Sequence, residues 1–509
     1  MSKIELSDVT GGYNLSTIND NFSKVEKELN DKVLYRDNPT GEPNQAENDL
    51  DLNGYKILNS PKPVNPTDLV RLKDLGSASP GSPTSPGSPG SPNADYNSVS
   101  VMVADTSLEE GDTARTQSFH QGFVGLEDSV VGGATYVIKS GKTPNGHNII
   151  ELDNGLFAEL TNPDNAFQFG AKGDGVQNDS PAIQAYINSF GDNAGTVKLE
   201  TPLLQYNISE PLVINKDGMK IQGSSKFRCL LRKVDNTATG TSVDTDGVPY
   251  VFDKPCIFQL THKQDSVLRH FVIEGVSLKG TDNNTQVAIL APRCAYITCR
   301  DMESQTLLHS WMSELTSFVV KFENWRSNDV RGAHWSVGDG NIWTFDNCYA
   351  NGSPAAGVGF SFNGTSNVNI NNCPADSIAV GFDFKGDSSG TMTSCGIEAR
   401  RYHLRTFDNA RVQVFGGDWA LTLIGSQDND SSSIFWAQDS SEIVAKNPVM
   451  RMFNYGNTPD FNVKNAALST GSGSSVVVED PILDQVSNSY EVGFSLDKFK
   501  AFNTGSYIR

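Results

Sequence analysis

Asp376 and Glu398 stand 22 residues apart, and Asp418 follows 20 residues later. Paired carboxylates suit glycosidic-bond cleavage, one donating a proton to the leaving oxygen and the other serving as base or nucleophile. A shared frame makes these three a candidate set. Phe322-Glu323-Asn324, Phe345-Asp346-Asn347, Ile370-Asn371-Asn372 and Met392-Thr393-Ser394 each place an apolar anchor before two polar residues, at intervals of 23, 25 and 22. Val412-Gln413-Val414-Phe415 extends the series after 20 more. Six residues past the anchors lie Asn328, Asn351, Asp376, Glu398 and Asp418, which predicts one column. With coils stacked at strand spacing, Asp376 falls about 5 Å from Glu398 and about 10 Å from Asp418. Retaining and inverting glycosidases use about 5–5.5 Å and 6.5–9.5 Å. Crowding of like charges also raises one carboxyl pKa, as a general acid requires. Turn chemistry is the competing account, because Asn and Asp side chains commonly bond the backbone at bends. Glu323 and Asp346 form a second outward pair. Trp335, Trp343 and Trp419 are candidate sugar-stacking platforms, and Trp335 and Trp343 fall on the surface by alternation.

The elements that must position these residues follow from the period. Short alternating strands every 20 to 25 residues predict an all-β solenoid, a parallel β-helix in which each coil covers its neighbour's apolar face. Three residues past the anchors, Trp325, Cys348, Cys373 and Cys395 form an inward ladder. Seven cysteines without CxxC spacing therefore read as reduced and buried, with no metal site. No GxSxG, HExxH, Walker or dinucleotide motif occurs, His309 and His334 are isolated, and no cofactor is implied. A net charge of −20 argues against nucleic acid as a partner, and 37% hydrophobic residues with 46 glycines fit many turns between short strands. No membrane-length apolar run or signal-peptide core is seen, which predicts synthesis in the cytosol and no membrane insertion.

The solenoid opens at Phe169-Gly170-Ala171-Lys172-Gly173-Asp174-Gly175 and runs through Asp179-Ser180-Pro181-Ala182-Ile183-Gln184. Glycines permit a tight positive-φ turn, Ser180 suits an N-cap and Pro181 the first helical position. Ile183, Ile187 and Phe190 share a face, predicting a capping helix over 180–190. Asp174 holds the turn. This wording resembles the opening motif of the pectate-lyase-like right-handed β-helix superfamily, which implies that fold without assigning a reaction.

Ahead of it, Leu15, Ile18, Phe22, Val25 and Leu29 follow a 3-4-3-4 spacing, the seam of a short coiled coil. Asn53-Gly54 within 48–59 signals a hairpin. Lys32-Val33-Leu34-Tyr35-Arg36-Asp37-Asn38-Pro39 and the 48–59 stretch together resemble the virion anchor of short-tailed phage tail fibres and tailspikes. Pro80 to Pro92 lacks apolar residues and reads as an extended linker. Gly111–Thr116, Gly132–Ile138 and Leu152–Leu160 resemble the small β domain that often precedes a tailspike β-helix. The predicted layout is a virion-anchoring region over 1–79, linker 80–95, small β domain 96–162, parallel β-helix 163–450 and a β-rich C-terminal region 451–509. The resemblance implies a homotrimer on the phage tail, joined to tail proteins through its N-terminus and binding a host surface polysaccharide. The alternative is a depolymerase, hydrolase or lyase, cutting capsule or O-antigen through the paired carboxylates.

Overall fold

The computed structural model describes residues 23–24, 93–123, 131–245, 248–261, 267–423, 433–454, 465–484 and 506–508. The Leu15–Leu29 seam, the Asn53-Gly54 hairpin and the Pro80–Pro92 linker lie outside the described residues, except that Ser23 and Lys24 are helical. None of the described helices is long and apolar enough to cross a membrane.

Five strands form a small sheet in the order Asn93–Tyr96, Thr113–Ser118, Gly132–Lys139, Phe157–Thr161 and Ile149–Glu151. The first pair is parallel and the others antiparallel. Alternate residues of Gly132–Lys139 are buried, as period-two patterning requires. The turn into Phe157–Thr161 uses Gly155 at φ 82°. Asn154 fixes it by donating to the Leu108 carbonyl (2.8 Å) and accepting from the Leu156 amide (3.0 Å).

A buried carboxylate organises the opening of the solenoid. Asp179 accepts backbone N–H bonds from Lys172 (2.7 Å), Gly173 (3.3 Å) and Asn207 (3.2 Å). Burial nevertheless pushes its carboxyl up to about 6. Asp174 accepts from the Val176 and Gln177 amides at 2.9 and 2.8 Å and so holds the turn. Gly173, at φ 60°, has Pro202 where a Cβ would stand, 2.4 Å away, so no side chain fits. The helix spans Ser180–Ser189, and Asp179 precedes it as the cap residue. Ser180 is therefore the first helical residue and not the N-cap; its hydroxyl accepts from the Ser209 amide (2.9 Å), tying the helix to the first coil. Ile183, Tyr186 and Ile187 are buried, with Tyr186 stacked 4.7 Å from Phe169, so the helix closes the apolar end of the stack.

Beyond it the chain winds as a right-handed parallel β-helix. One face stacks strands from Thr196–Leu199 through Ser317–Glu323, Gly340–Asp346, Thr365–Asn371 and Ser389–Thr393 to Ser506–Ile508. The other two faces merge into a 19-stranded sheet, because Tyr349–Asn363, Ala375–Lys385 and Gly396–Thr406 bend from one into the next. The ladder does not stop near 450: Asn465–Thr470, Ser475–Glu479, Ile482–Asp484 and Ser506–Ile508 pair in parallel onto preceding coils. Ser475–Glu479 repeats the apolar alternation of earlier coils, and the parallel pairing continues the stack.

Inside, aromatic side chains stack coil on coil. Trp335, Phe360 and Phe382 succeed one another at centroid distances of 4.6 and 4.8 Å. Trp325, Cys348, Cys373 and Cys395 are fully buried. A chain of hydroxyls also threads the core: Trp325 donates to Ser304 (2.9 Å), Ser304 to Ser310 (2.8 Å), and Ser327 bridges Ser310 and His334 at 2.6 Å each. Burial drives the His334 pKa down to about 3, so its imidazole is neutral.

The corner between the first and second faces is built from single left-handed residues. Asp301, Asn324, Asn347, Asn372, Ser394, Asn447 and Asp480 have φ between 48° and 53°, and Gly416 takes the same place at 65°. Asn tolerates this region better than most residues, and the side chains link neighbouring coils: Asn372 donates to Asn347 (2.6 Å) and Asn324 to Asp301 (3.2 Å). The polar residue two past each anchor is this corner.

Candidate functional site

Past the corner, the outward side chains of the second face form the predicted column, with one correction. Asn328 pairs with Asn351, Asn351 with Asp376, and Asp376 with Glu398. The coil after Glu398 presents Ala420, and Asp418 pairs with Gly396. The anchor of that coil is Val414, register partner of Met392, not Val412. Counting from Val412 keeps the outward parity but slides the position by two residues, about 6.6 Å along the strand. Asp418 therefore lies beside the column, where its carboxylate meets Arg451 at 3.1 Å.

The environment of Asp376 is polar and specific. It accepts from the Tyr349 hydroxyl and from the Ser377 hydroxyl, each at 3.1 Å. Burial and the neighbouring Asp376 carboxylate push the Tyr349 phenol above its ordinary range. Arg326 lies 5.5 Å over the Tyr349 ring and donates to Asn328 (3.2 Å), which in turn accepts from Asn351 (3.2 Å) and donates to Glu303 (3.2 Å). Asp376 and Glu398 are both partly exposed.

The backbone changes shape between these two acids. On lower coils a second left-handed residue follows the column: Thr306, Asp329, Gly352 and Ser377. After Glu398 that residue is missing, and the pairing steps from Asp376–Glu398 to Ile378–Ala399, a bulge in one strand. Such bulges re-aim side chains and are frequent beside active sites. The arrangement holds the Asp376 carboxylate by hydrogen bonds, with Glu398 one coil along on the same outward face.

The second pair, Glu323 and Asp346, are register partners on the first face. Lys321 bonds Glu323 and lies 3.7 Å from Asp346, which also accepts from Asn371 (2.8 Å). These carboxylates belong to a charge-balanced ladder running along the outside of the sheet.

The tryptophan assignments do not survive. Trp335, Trp343 and Trp419 are fully buried and cannot stack on a sugar. Ile342, left-handed at φ 62°, breaks the alternation just before Trp343, so Ile342 is exposed and Trp343 points inward. Trp335 stacks on Phe360, and Trp419 packs 4.9 Å from Phe435. The sequence reading missed Trp436, which is partly exposed. It faces outward directly after Arg405 in the coil stack, but the coil between them is long, 31 residues, and hides the repeat.

Comparison with known proteins agrees with this architecture. Residues 164–403 match the family model described as rhamnogalacturonase A/epimerase, pectate lyase-like. The Acinetobacter phage vb_AbaP_AS12 gp42 tailspike is similar in structure, with TM-score 0.57 and 15% identity over 81% of this chain and 78% of that one. The enzymatically active domain of tailspike protein 2 from bacteriophage CBA120 is also similar, with TM-score 0.51 and 13% identity over 79% of this chain and 63% of that one. No curated protein matches the chain by sequence. The chain thus shares the parallel β-helix fold of phage tailspikes.

Proposed function

We propose that this protein is a phage tailspike, carried on the virion tail, whose β-helix binds a bacterial surface polysaccharide. The observation that carries the reading is the likeness to a phage tailspike over 81% of the chain. The N-terminal wording supports a virion anchor over 1–79, with the Leu15, Ile18, Phe22, Val25 and Leu29 seam helping to hold a homotrimer. Three copies raise avidity for a repeating polymer without stronger individual contacts. Deleting residues 1–79 tests the anchor: the truncated protein should fold and no longer join particles. Retained incorporation refutes it.

A second reading, depolymerase, rests on the direct pairing of Asp376 and Glu398 beside a bulge. The CBA120 relative is itself described as enzymatically active. Incubating the purified protein with capsule and O-antigen from susceptible cells, then sizing the sugar, separates the readings. Binding without shortening supports a receptor-binding spike; shortening supports the depolymerase; the absence of both binding and shortening refutes both.

A further inference from the structure

Trp436 belongs to a cluster on the third face, away from the acid column. We infer that Trp436, Tyr402 and Arg405, fixed from beneath by Asp383, form a saccharide-binding site for a pyranose bearing a carboxylate. This rests on the polysaccharide reading above and adds a place and a sugar class to it.

The register stacks Ser361, Asp383, Arg405 and Trp436 on successive coils. Asp383 is almost wholly buried, its side chain 1% exposed. It holds Arg405 by two bonds, Nε to Oδ1 at 2.7 Å and Nη2 to Oδ2 at 3.1 Å, and Lys385 at 2.8 Å. A guanidinium gripped through two prongs is held in one plane. Three of its five N–H donors then remain without a partner among the described residues. Arg405 also lies over the rings of Tyr402 and Phe407, at 5.7 and 5.3 Å. Trp436 sits 4.7 Å from Tyr402 and 5.3 Å from Phe407, and its indole N–H is anchored on Thr470 (3.0 Å).

The result is a fixed aromatic platform beside pre-oriented donors, set on strands. A pyranose presents an apolar C–H face and a rim of polar groups, so it needs both features side by side. Charge narrows the ligand further. Two cations, Arg405 and Lys385, share the one buried carboxylate of Asp383, while the Asp408 carboxylate sits on the Gly386 amide just beyond Lys385. A guanidinium held in one plane matches a sugar carboxylate, which Arg405 can meet with its remaining N–H groups.

The test uses the full chain, Trp436→Ala and Arg405→Lys on an array of purified capsular polysaccharides and O-antigens, native and with uronate carboxyls reduced to alcohols. Light scattering and thermal melting of each variant run alongside. The wild type should bind uronate-containing glycans and lose them on carboxyl reduction. Each variant, unchanged in mass, should bind at least about tenfold more weakly. Wild-type affinity in both variants, undiminished binding to reduced glycans, or dissociation of a Trp436→Ala oligomer would overturn the site. Wild-type binding to no glycan would instead refute the polysaccharide reading itself. Should Trp436→Ala fail to fold, Arg405→Lys decides alone, because it keeps the charge while removing the planar fork.

Discussion

Asp376 and Glu398 face each other across one strand spacing, whereas Asp418 sits two residues out of their line, bonded to Arg451. If the protein cleaves its polysaccharide, Asp376→Asn and Glu398→Gln should each lower the rate by about 10²-fold or more. Asp418→Asn should stay within about tenfold of wild type. Rates of reducing-end or unsaturated-sugar release from one substrate decide this, and equal loss in all three variants contradicts the assignment.

Buried Trp335 predicts a stability defect in place of a binding defect. Trp335→Ala removes the ring stacked on Phe360 and should cost about 3–5 kcal/mol. Denaturant unfolding measures it; a variant of normal stability that has lost sugar binding would restore Trp335 as a platform.

The left-handed corner makes Asn347 replaceable by few residues. Asn347→Val should cost about 1–2 kcal/mol from backbone strain alone, plus the lost bond from Asn372, while Asn347→Gly should cost less. The order of the two unfolding midpoints is the readout.

Acid should destabilise the solenoid through its buried histidines. His334 and His403 have pKa values pushed by burial to about 3, against an ordinary 6.5. As pH falls from 6.5 towards 3, the unfolded chain takes up protons that the folded protein refuses, so stability drops across that window. Asp179 acts in the opposite direction. Its carboxyl titrates near 6 when folded and near 3.8 otherwise, so its contribution is full below 3.8 and is lost as pH rises through 6. Melting temperatures at stepped pH should therefore decline more gently for His334→Gln than for wild type, and more steeply for Asp179→Asn. Parallel curves would remove these groups from the balance.

The fold was legible because its constraints are local and recur. Phe322, Phe345, Ile370 and Met392 do pair as one inward column, and the Asn residues two places on have one backbone conformation to satisfy. Errors arose where the period stretched or the alternation broke. Val412 and Val414 are both inward, so periodicity alone could not choose between them, and Asp418 moved with that choice. Ile342 reversed the facing of Trp343 through a left-handed residue that its β-branched side chain gives no reason to expect. The Asp383–Arg405 pair and Trp436 were out of reach, since their meeting depends on how an unequal coil closes.

The left-handed corner has a consequence for how such a molecule can vary. In every coil from Ile273 to Val478 the second-face register position comes six residues after the first-face one: Lys279, Gln305, Asn328, Asn351, Asp376, Glu398, Ala420, Arg451, Asp484. The rest of the coil is elastic, its full length running from 22 residues between Met392 and Val414 to 33 between Ala445 and Val478. One edge is a spine of constant pitch and the others accept insertions. Loops can therefore be exchanged along the variable edges while Asp376 and Glu398 keep their places. A solenoid of this build can acquire a new grip without being redesigned.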